Sequence, residues 1–371
     1  MRAFAVFPGS REYKPVDHPE PSLASPTQVK IRMLDVGVCG TDKEIAAFLY
    51  GTPPPGADYL IIGHESLGEI VEVGSQVTNL RVGDLAVLTV RRPCPHPDCV
   101  ACRSGRQDFC YTGDYTERGI KQVHGYMAEY VVDEAKYVTA VPRALRDVAV
   151  LTEPLTIAEK GVEQLWHIQQ RLPWACPSDD GKPPAYCRKA LVLGAGPVGL
   201  LGAMKLVLDG FETYVYSTAS ASEHKFDVAR AIGATFLHAE EVSIEDAARR
   251  IGNIDVVYEA VGASKLAFEV IARLGANGVF IFTGIPGRKG PVPINTDAIM
   301  RELVLNNQVV FGTVNASLQS FQDAIRDLGQ FMQRWPDALR MVISNRFPME
   351  HAAELLAGKQ PGIKNVIMVN K

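Results

Sequence analysis

Four cysteines crowd into "CPHPDCVACRSGRQDFC" as Cys94, Cys99, Cys102 and Cys110, spaced C-x4-C-x2-C-x7-C. Four thiolates on one short lobe can close tetrahedrally around Zn²⁺ and leave no open position, which makes such a site structural. His96 could replace Cys94 or Cys99, although four cysteines suffice. A second constellation is looser. "GVCGTD" carries Cys39, and "IIGHESLGEIVEVG" carries His64 and Glu65 in a glycine-bounded turn. A catalytic zinc takes fewer protein ligands and keeps a vacancy. Taken singly, Cys39 reads as a small buried apolar residue, His64 as a hydrogen-bonded histidine and Glu65 as a solvated acid. Their occurrence together, in order, shifts the weight towards ligands.

A third stretch, "LVLGAGPVGLL", places Gly194, Gly196 and Gly199 in G-x-G-x-x-G spacing, with Pro197 and Val198 between the last two. The string follows an apolar strand and opens an apolar helix. In that context the first glycine allows a tight turn, the second lets backbone approach a pyrophosphate, and the third allows close helix–strand packing. An Asp or Glu closing the next strand would bind a ribose 2′-hydroxyl and repel a 2′-phosphate. Here "TYVYS" ends in Ser217, followed by Thr218 and Ser220, with Lys225 the nearest lysine. The missing acid favours NADP and tolerates NAD.

The elements that must position these residues fall into two textures. Up to about residue 140, runs such as "QVKIRMLDVGVCG", "LGEIVEVG" and "GDLAVLTV" alternate and are broken by Gly, Pro and Asp, predicting a mostly β half, antiparallel or barrel-like. "LTEPLTIAEKGVEQLWHIQQR" then takes helical spacing, and the polar "LPWACPSDDGKPPAYC" reads as a surface connection. From Arg188 to about Gly312, strands alternate with helices, which predicts a parallel sheet covered on both faces. The last sixty or so residues could complete either half on pattern alone.

At 371 residues the chain is long enough for two domains. Its composition is that of an ordinary soluble globular protein, and a net charge of −4 gives no electrostatic case for nucleic acid or an anionic membrane. The start "MRAFAVFPGSREYKP" has neither the apolar core nor the cleavage signal of a secretory peptide, and the longest apolar run, Ala190 to Met204, is too short to span a bilayer. The expected address is cytoplasmic. The cysteine count of seven is odd, and in a reducing compartment the clustering favours metal over disulfides. Cys176 and Cys187 are therefore expected as free thiols.

In their order along the chain, "GVCGTD", "GHESLGEIVEVG", the four-cysteine lobe and "GAGPVG" resemble the zinc-containing medium-chain dehydrogenases. The resemblance implies an α/β protein with a GroES-like, mostly β catalytic domain over 1–155, completed by 313–371. A Rossmann domain over 156–312 would bind the dinucleotide, with two zinc ions per chain. No second cysteine stands mid-chain as a third ligand. Instead "LTEPLTIAEK" offers Glu153, and with "TVRRP", "YTERGI" and "GTVNAS" it is similar to the microbial glucose dehydrogenase branch. That likeness implies that Cys39, His64 and Glu65 or Glu153 hold the catalytic zinc, and that Glu65 or Glu153 acts as base. It further implies that Thr41 meets the reacting hydroxyl, that Glu117 and Asn315 bind sugar hydroxyls, and that the chain assembles as a dimer or tetramer. The implied reaction is oxidation of an aldose, glucose foremost, at C1 to the lactone. A zinc-dependent polyol, alcohol or threonine dehydrogenase is the alternative, and a non-catalytic dinucleotide sensor a remoter one. The chain departs from the family in its Ser/Thr run after the second Rossmann strand, where some members carry arginine. It departs again in two extra residues between the first two cysteines of the lobe.

Overall fold

The computed structural model describes residues 1–178, 181–219, 224–287, 290–358 and 361–370. The chain divides into two compact units, Met1–Thr156 with Asn315–Gln333 and Ile343–Lys371, and Ile157–Val314 with Arg334–Val342.

The first unit is built on strand β1 (Gln28–Val38), whose side chains alternate between buried and half-buried up to Arg32 and are then buried continuously from Met33 to Gly37. Its second half is covered on both faces, and the one charged residue there, Asp35, is paired with Arg146 and Arg346. Helix α1 (Gly40–Ala46) follows directly, and β2 (Glu65–Val73) runs antiparallel along one edge of β1. The C-terminal strand Lys364–Met368 lies along the other edge, and Tyr130–Glu134 pairs with the first half of β1. Leu85–Leu88 and Val138–Val141 extend the sheet beyond β2, and Ile343–Pro348 closes the far side. The register puts Gly37 opposite Glu65 on one side and Val366 on the other. The ends of β1 and β2 that flow into Cys39 and out of His64 are thereby fixed side by side.

The second unit begins within helix α2 (Thr152–Gln169) and holds the parallel sheet. Strand β3 (Lys189–Leu193) leads into α3 (Pro197–Leu208), then β4 (Glu212–Ser217), α4 (His224–Ala231) and β5 (Thr235–His238). Beyond these come β6 (Val256–Glu259), β7 (Val279–Phe282), helix α5 (Thr296–Leu305) and β8 (Val309–Gly312). The order is β5-β4-β3-β6-β7-β8, every pairing parallel. The near-continuous burial of "KALVL" and "VVYE" is what a sheet covered on both faces demands. Leaving β3, the chain winds outward to β5 and then crosses back to β6 on the other side of β3, which creates a switch point at the carboxyl ends of the strands.

Cys176 and Cys187 are not free thiols but form a disulfide, with Cα atoms 5.8 Å apart. Arg188 donates from Nε and Nη2 to the Trp174 carbonyl at 3.0 and 2.6 Å and lies over the Trp174 ring. That grip draws the two ends of the polar connection together, within the span a disulfide requires. Among the described residues, no helix is long and apolar enough to cross a membrane.

Candidate metal centre and dinucleotide site

Cys39 caps the N-terminus of α1, and its backbone N–H donates to Asp42 Oδ2 at 2.9 Å. The other oxygen of the fully buried Asp42 accepts the Gly63 N–H at 3.3 Å and lies 3.3 Å from His64 Nδ1. The His64 contact is an ion-pair approach without hydrogen-bond alignment, but its consequence is clear. One carboxylate ties the Cys39 turn to the His64 turn, and it faces one ring nitrogen of the histidine. Burial opposes a charge on His64, yet Asp42 and Cys39 together hold its pKa well above the ordinary value. The same contact keeps Asp42 below its ordinary value despite the burial that pushes the other way.

Glu65 completes the group. Single donor atoms of Cys39, His64 and Glu65 all lie within 4.8 Å of one another. A thiolate, an imidazole and a carboxylate at that spacing form a donor set suited to zinc, and an imidazole braced by a carboxylate is the usual second layer of such a site. Glu65 is also engaged elsewhere, in a way the sequence did not show. Buried Lys364 donates to Glu65 Oε1 at 2.6 Å, lies 2.5 Å from Oε2, and donates to the Val38 carbonyl at 3.2 Å. Gly37 is required for this arrangement, since a Cβ there would stand 2.0 Å from Glu65 Oε2.

Glu153 lies in the first turn of α2, half-buried and outside the close trio. Burial pushes its carboxyl up to about 7; His64 and Lys364 oppose that rise, and Glu65 adds to it. Thr41 is half-buried, two residues beyond Cys39 in α1. Glu117 and Asn315 meet directly, Asn315 Nδ2 donating to Glu117 Oε1 at 2.8 Å. Asn315 adopts the left-handed conformation (φ 61°) that asparagine tolerates better than most residues. The sequence did not point to Arg91, which is buried, donates from Nε to the same Glu117 oxygen at 3.0 Å, and lies over the Tyr115 ring. The short strand Thr116–Arg118 that carries Glu117 runs on to Gly125 and Tyr126. Their N–H groups donate to the Ile61 carbonyl at 2.7 Å and the Gly63 carbonyl at 2.9 Å, so this segment packs directly against the His64 turn.

The four thiols of Cys94, Cys99, Cys102 and Cys110 also lie within 4.8 Å of one another, unbridged. Cys94 N–H donates to Cys102 Sγ at 3.4 Å, and Cys99 and Cys110 sulfurs are 3.9 Å apart. That set fits a closed Zn²⁺ site. His96 is not part of it, because the exposed imidazole pairs with Asp114.

At the dinucleotide turn, Gly194 takes φ 101°, and a Cβ there would stand 2.5 Å from Val261 Cγ2. A Cβ on Gly199 would stand 2.1 Å from the Gly194 carbonyl oxygen. Gly196, by contrast, faces open space, Pro197 and Val198 begin α3, and the backbone is bare where a phosphate would approach. Ser217 closes β4 and accepts the Ala219 N–H at 3.2 Å; Thr218 is exposed, Lys225 half-buried in α4, and Ser220 lies outside the described residues. No acid ends β4.

A mostly β unit with a thiolate–imidazole–carboxylate trio and a four-thiol lobe, together with a parallel sheet bearing a glycine phosphate turn, defines a zinc-type dehydrogenase. Residues 25–143 match the alcohol dehydrogenase GroES-like domain, and residues 146–369 match the glucose dehydrogenase C-terminus. The glucose 1-dehydrogenase of Methanocella arvoryzae is 41% identical, covering 100% of this chain and 99% of that protein, and that of Thermoproteus tenax is 38% identical over the same shares. The glucose dehydrogenase of Haloferax mediterranei, solved in complex with NADP, Zn and gluconolactone, superimposes with a TM-score of 0.86 at 30% identity and full coverage of both chains. The chain belongs to the glucose dehydrogenase family of zinc-containing medium-chain dehydrogenases.

Proposed function

We propose that this oxidoreductase converts D-glucose and related aldoses at C1 to the lactone, passing hydride to NADP⁺ and, less readily, to NAD⁺. The carrying observation is the Cys39–His64–Glu65 trio packed against the segment that holds Glu117 to Asn315. Zinc held by Cys39 and His64, with Glu65 or Glu153 as the acid, supplies Lewis acidity that makes the C1 hydroxyl easier to deprotonate. Glu153 takes the proton at its carboxylate. A group that titrates near 7 suits that exchange at neutral pH, whereas Glu65 has both carboxylate oxygens engaged by Lys364. Thr41 aligns the reacting hydroxyl, and Glu117 and Asn315 bind further hydroxyls of the ring. A pocket of this kind rejects an alcohol that leaves its polar groups unpaired. Asp42 holds the two ligand turns at fixed separation. The Gly194–Gly199 turn binds the pyrophosphate, and Ser217, Thr218, Ser220 and Lys225 receive the adenosine ribose and its 2′-phosphate.

The Cys94–Cys110 lobe binds the second zinc and holds structure only. A reducing cytoplasm keeps the four thiols available to metal, although the Cys176–Cys187 bond argues the other way. The chain pairs with a second copy through α5 and β8. No residue of α5 is buried, Met300, Val304 and Leu305 on it are 60 to 71% exposed, and β8 is an edge strand. Initial rates with NADP⁺ and NAD⁺ on glucose, galactose, xylose, a polyol, ethanol and threonine, with and without a chelator, test the assignment. Chelator-sensitive activity confined to aldoses is expected. Activity on the polyol, ethanol or threonine alone would overturn the sugar pocket.

A further inference from the structure

At the carboxyl end of β6 stands Glu259, 1% exposed, with no part in the chemistry above. Among the described residues no cation pairs with it. Its charge is met by backbone amides instead: Oε1 accepts from Val261 N at 2.9 Å and Gly262 N at 2.7 Å, and Oε2 accepts from Gly284 N at 3.2 Å. Its own carbonyl accepts from Thr283 N at 3.0 Å and Thr283 Oγ1 at 2.7 Å. One residue therefore fastens the loop after β6 to the loop after β7. The two loops cross so closely that a Cβ on Gly284 would stand 2.2 Å from Gly262 N and 2.7 Å from Glu259 Oε2. The clamped segment also reaches the phosphate turn, because the Val261 side chain fills the space in front of Gly194.

A dinucleotide on this sheet straddles the switch point, one nucleotide over β4 and the other over the strands beyond β3. Ser217 belongs to the first half. The loops after β6 and β7 lie under the second, and they leave Val261 and Ile285 exposed there, at 49 and 71%. We propose that Glu259 is a positioning residue for the nicotinamide half of the cofactor, acting through the loops it clamps and touching no ligand itself. The proposal rests on the dinucleotide reading of the Gly194 turn.

Glu259→Gln separates this role from simple folding. A carboxamide keeps the size and one acceptor oxygen, so it can still hold the Val261 and Gly262 amides, but its NH₂ then faces the Gly284 N–H, donor against donor. Binding of NADP⁺ and of adenosine 2′,5′-bisphosphate, which carries only the first half, is measured by calorimetry on wild type and variant, with the melting temperature alongside. The expected result is NADP⁺ affinity weakened about tenfold or more, with affinity for the bisphosphate unchanged within about twofold. Equal loss for both ligands, or no loss for either, overturns the proposal. In the wild type, hydrogen exchange reads the clamp without any variant: slow exchange at the Val261, Gly262 and Gly284 amides supports it, and free exchange overturns it even if the variant fails to fold. Wild-type protein that binds neither ligand would overturn the cofactor reading itself, and the proposal with it.

Discussion

The Lys364–Glu65 pair gives the sharpest test of how the metal centre is assembled. Both side chains are almost completely buried, 3 and 2% exposed. At 2.6 Å and an effective dielectric of about 20, their attraction is about 6 kcal/mol, of the same order as the cost of taking two ions out of water. The intact pair thus adds little net stability, but removing one partner leaves the other charged and buried. Lys364→Met should therefore destabilise the first unit by about 3–5 kcal/mol. For a unit of this size that lowers its melting temperature by roughly 6–12 °C at the lower figure. The assay is differential scanning calorimetry of zinc-loaded protein as wild type, Lys364→Met, Glu65→Gln and the double variant. The double variant should lose less than the sum of the singles by at least about 1 kcal/mol, because neither charge is then stranded. Additive losses, or a Lys364→Met change under about 0.5 kcal/mol, would refute the idea that Glu65 depends on Lys364.

Cys39→Ser should abolish turnover while leaving the fold and NADP⁺ binding largely intact, whereas Cys102→Ser should mainly lower the melting temperature, because it opens a closed site; loss of catalysis in Cys102→Ser without a change in melting would reverse the roles assigned to the two zincs. The rate of glucose oxidation should rise with pH through about 7 as Glu153 ionises, and Glu153→Gln should lose that limb along with most of the rate. Stability should move the opposite way: a carboxyl raised from its usual range by burial opposes folding once ionised, so Glu153→Gln should melt higher than wild type at pH 8 and no higher at pH 4. Dithiothreitol should destabilise the second unit by about 2–3 kcal/mol through the Cys176–Cys187 bond, read as a lower midpoint in urea without loss of bound zinc.

The two-unit fold was legible because its signals are local. "KALVLGAGPVG" carries strand, turn and helix within a dozen or so residues, and "QVKIRMLDVGVCG" announces its own alternation. That Cys39 and His64 come close together was legible for the same reason, since both lie in short turns with characteristic flanks. What escaped was set by register. Lys364 meets Glu65 across 299 positions of sequence, and only the placement of the C-terminal strand beside β1 brings them together. Arg91 is one of two adjacent arginines in "TVRRP", and only a strand pairing sets it opposite Glu117. Glu259 ends an apolar strand and reads as a solvated acid, since its partners are amides of two separate loops. The disulfide depended on Arg188 drawing both ends of a polar connection together, which no spacing reveals.

Arg91 also reaches beyond Glu117, donating from Nη1 to the Asp108 carbonyl at 3.3 Å, in the turn that leads into Cys110. The inner edge of the cysteine lobe is thereby tied to the Glu117 strand. The two additional residues that set its C-x4-C spacing fall between Cys94 and Cys99, where residues 95–98 are all exposed. Lengthening the exposed 95–98 segment should leave the Glu117 carboxylate in place, whereas a change in the length of the Asp108 turn should displace it through Arg91.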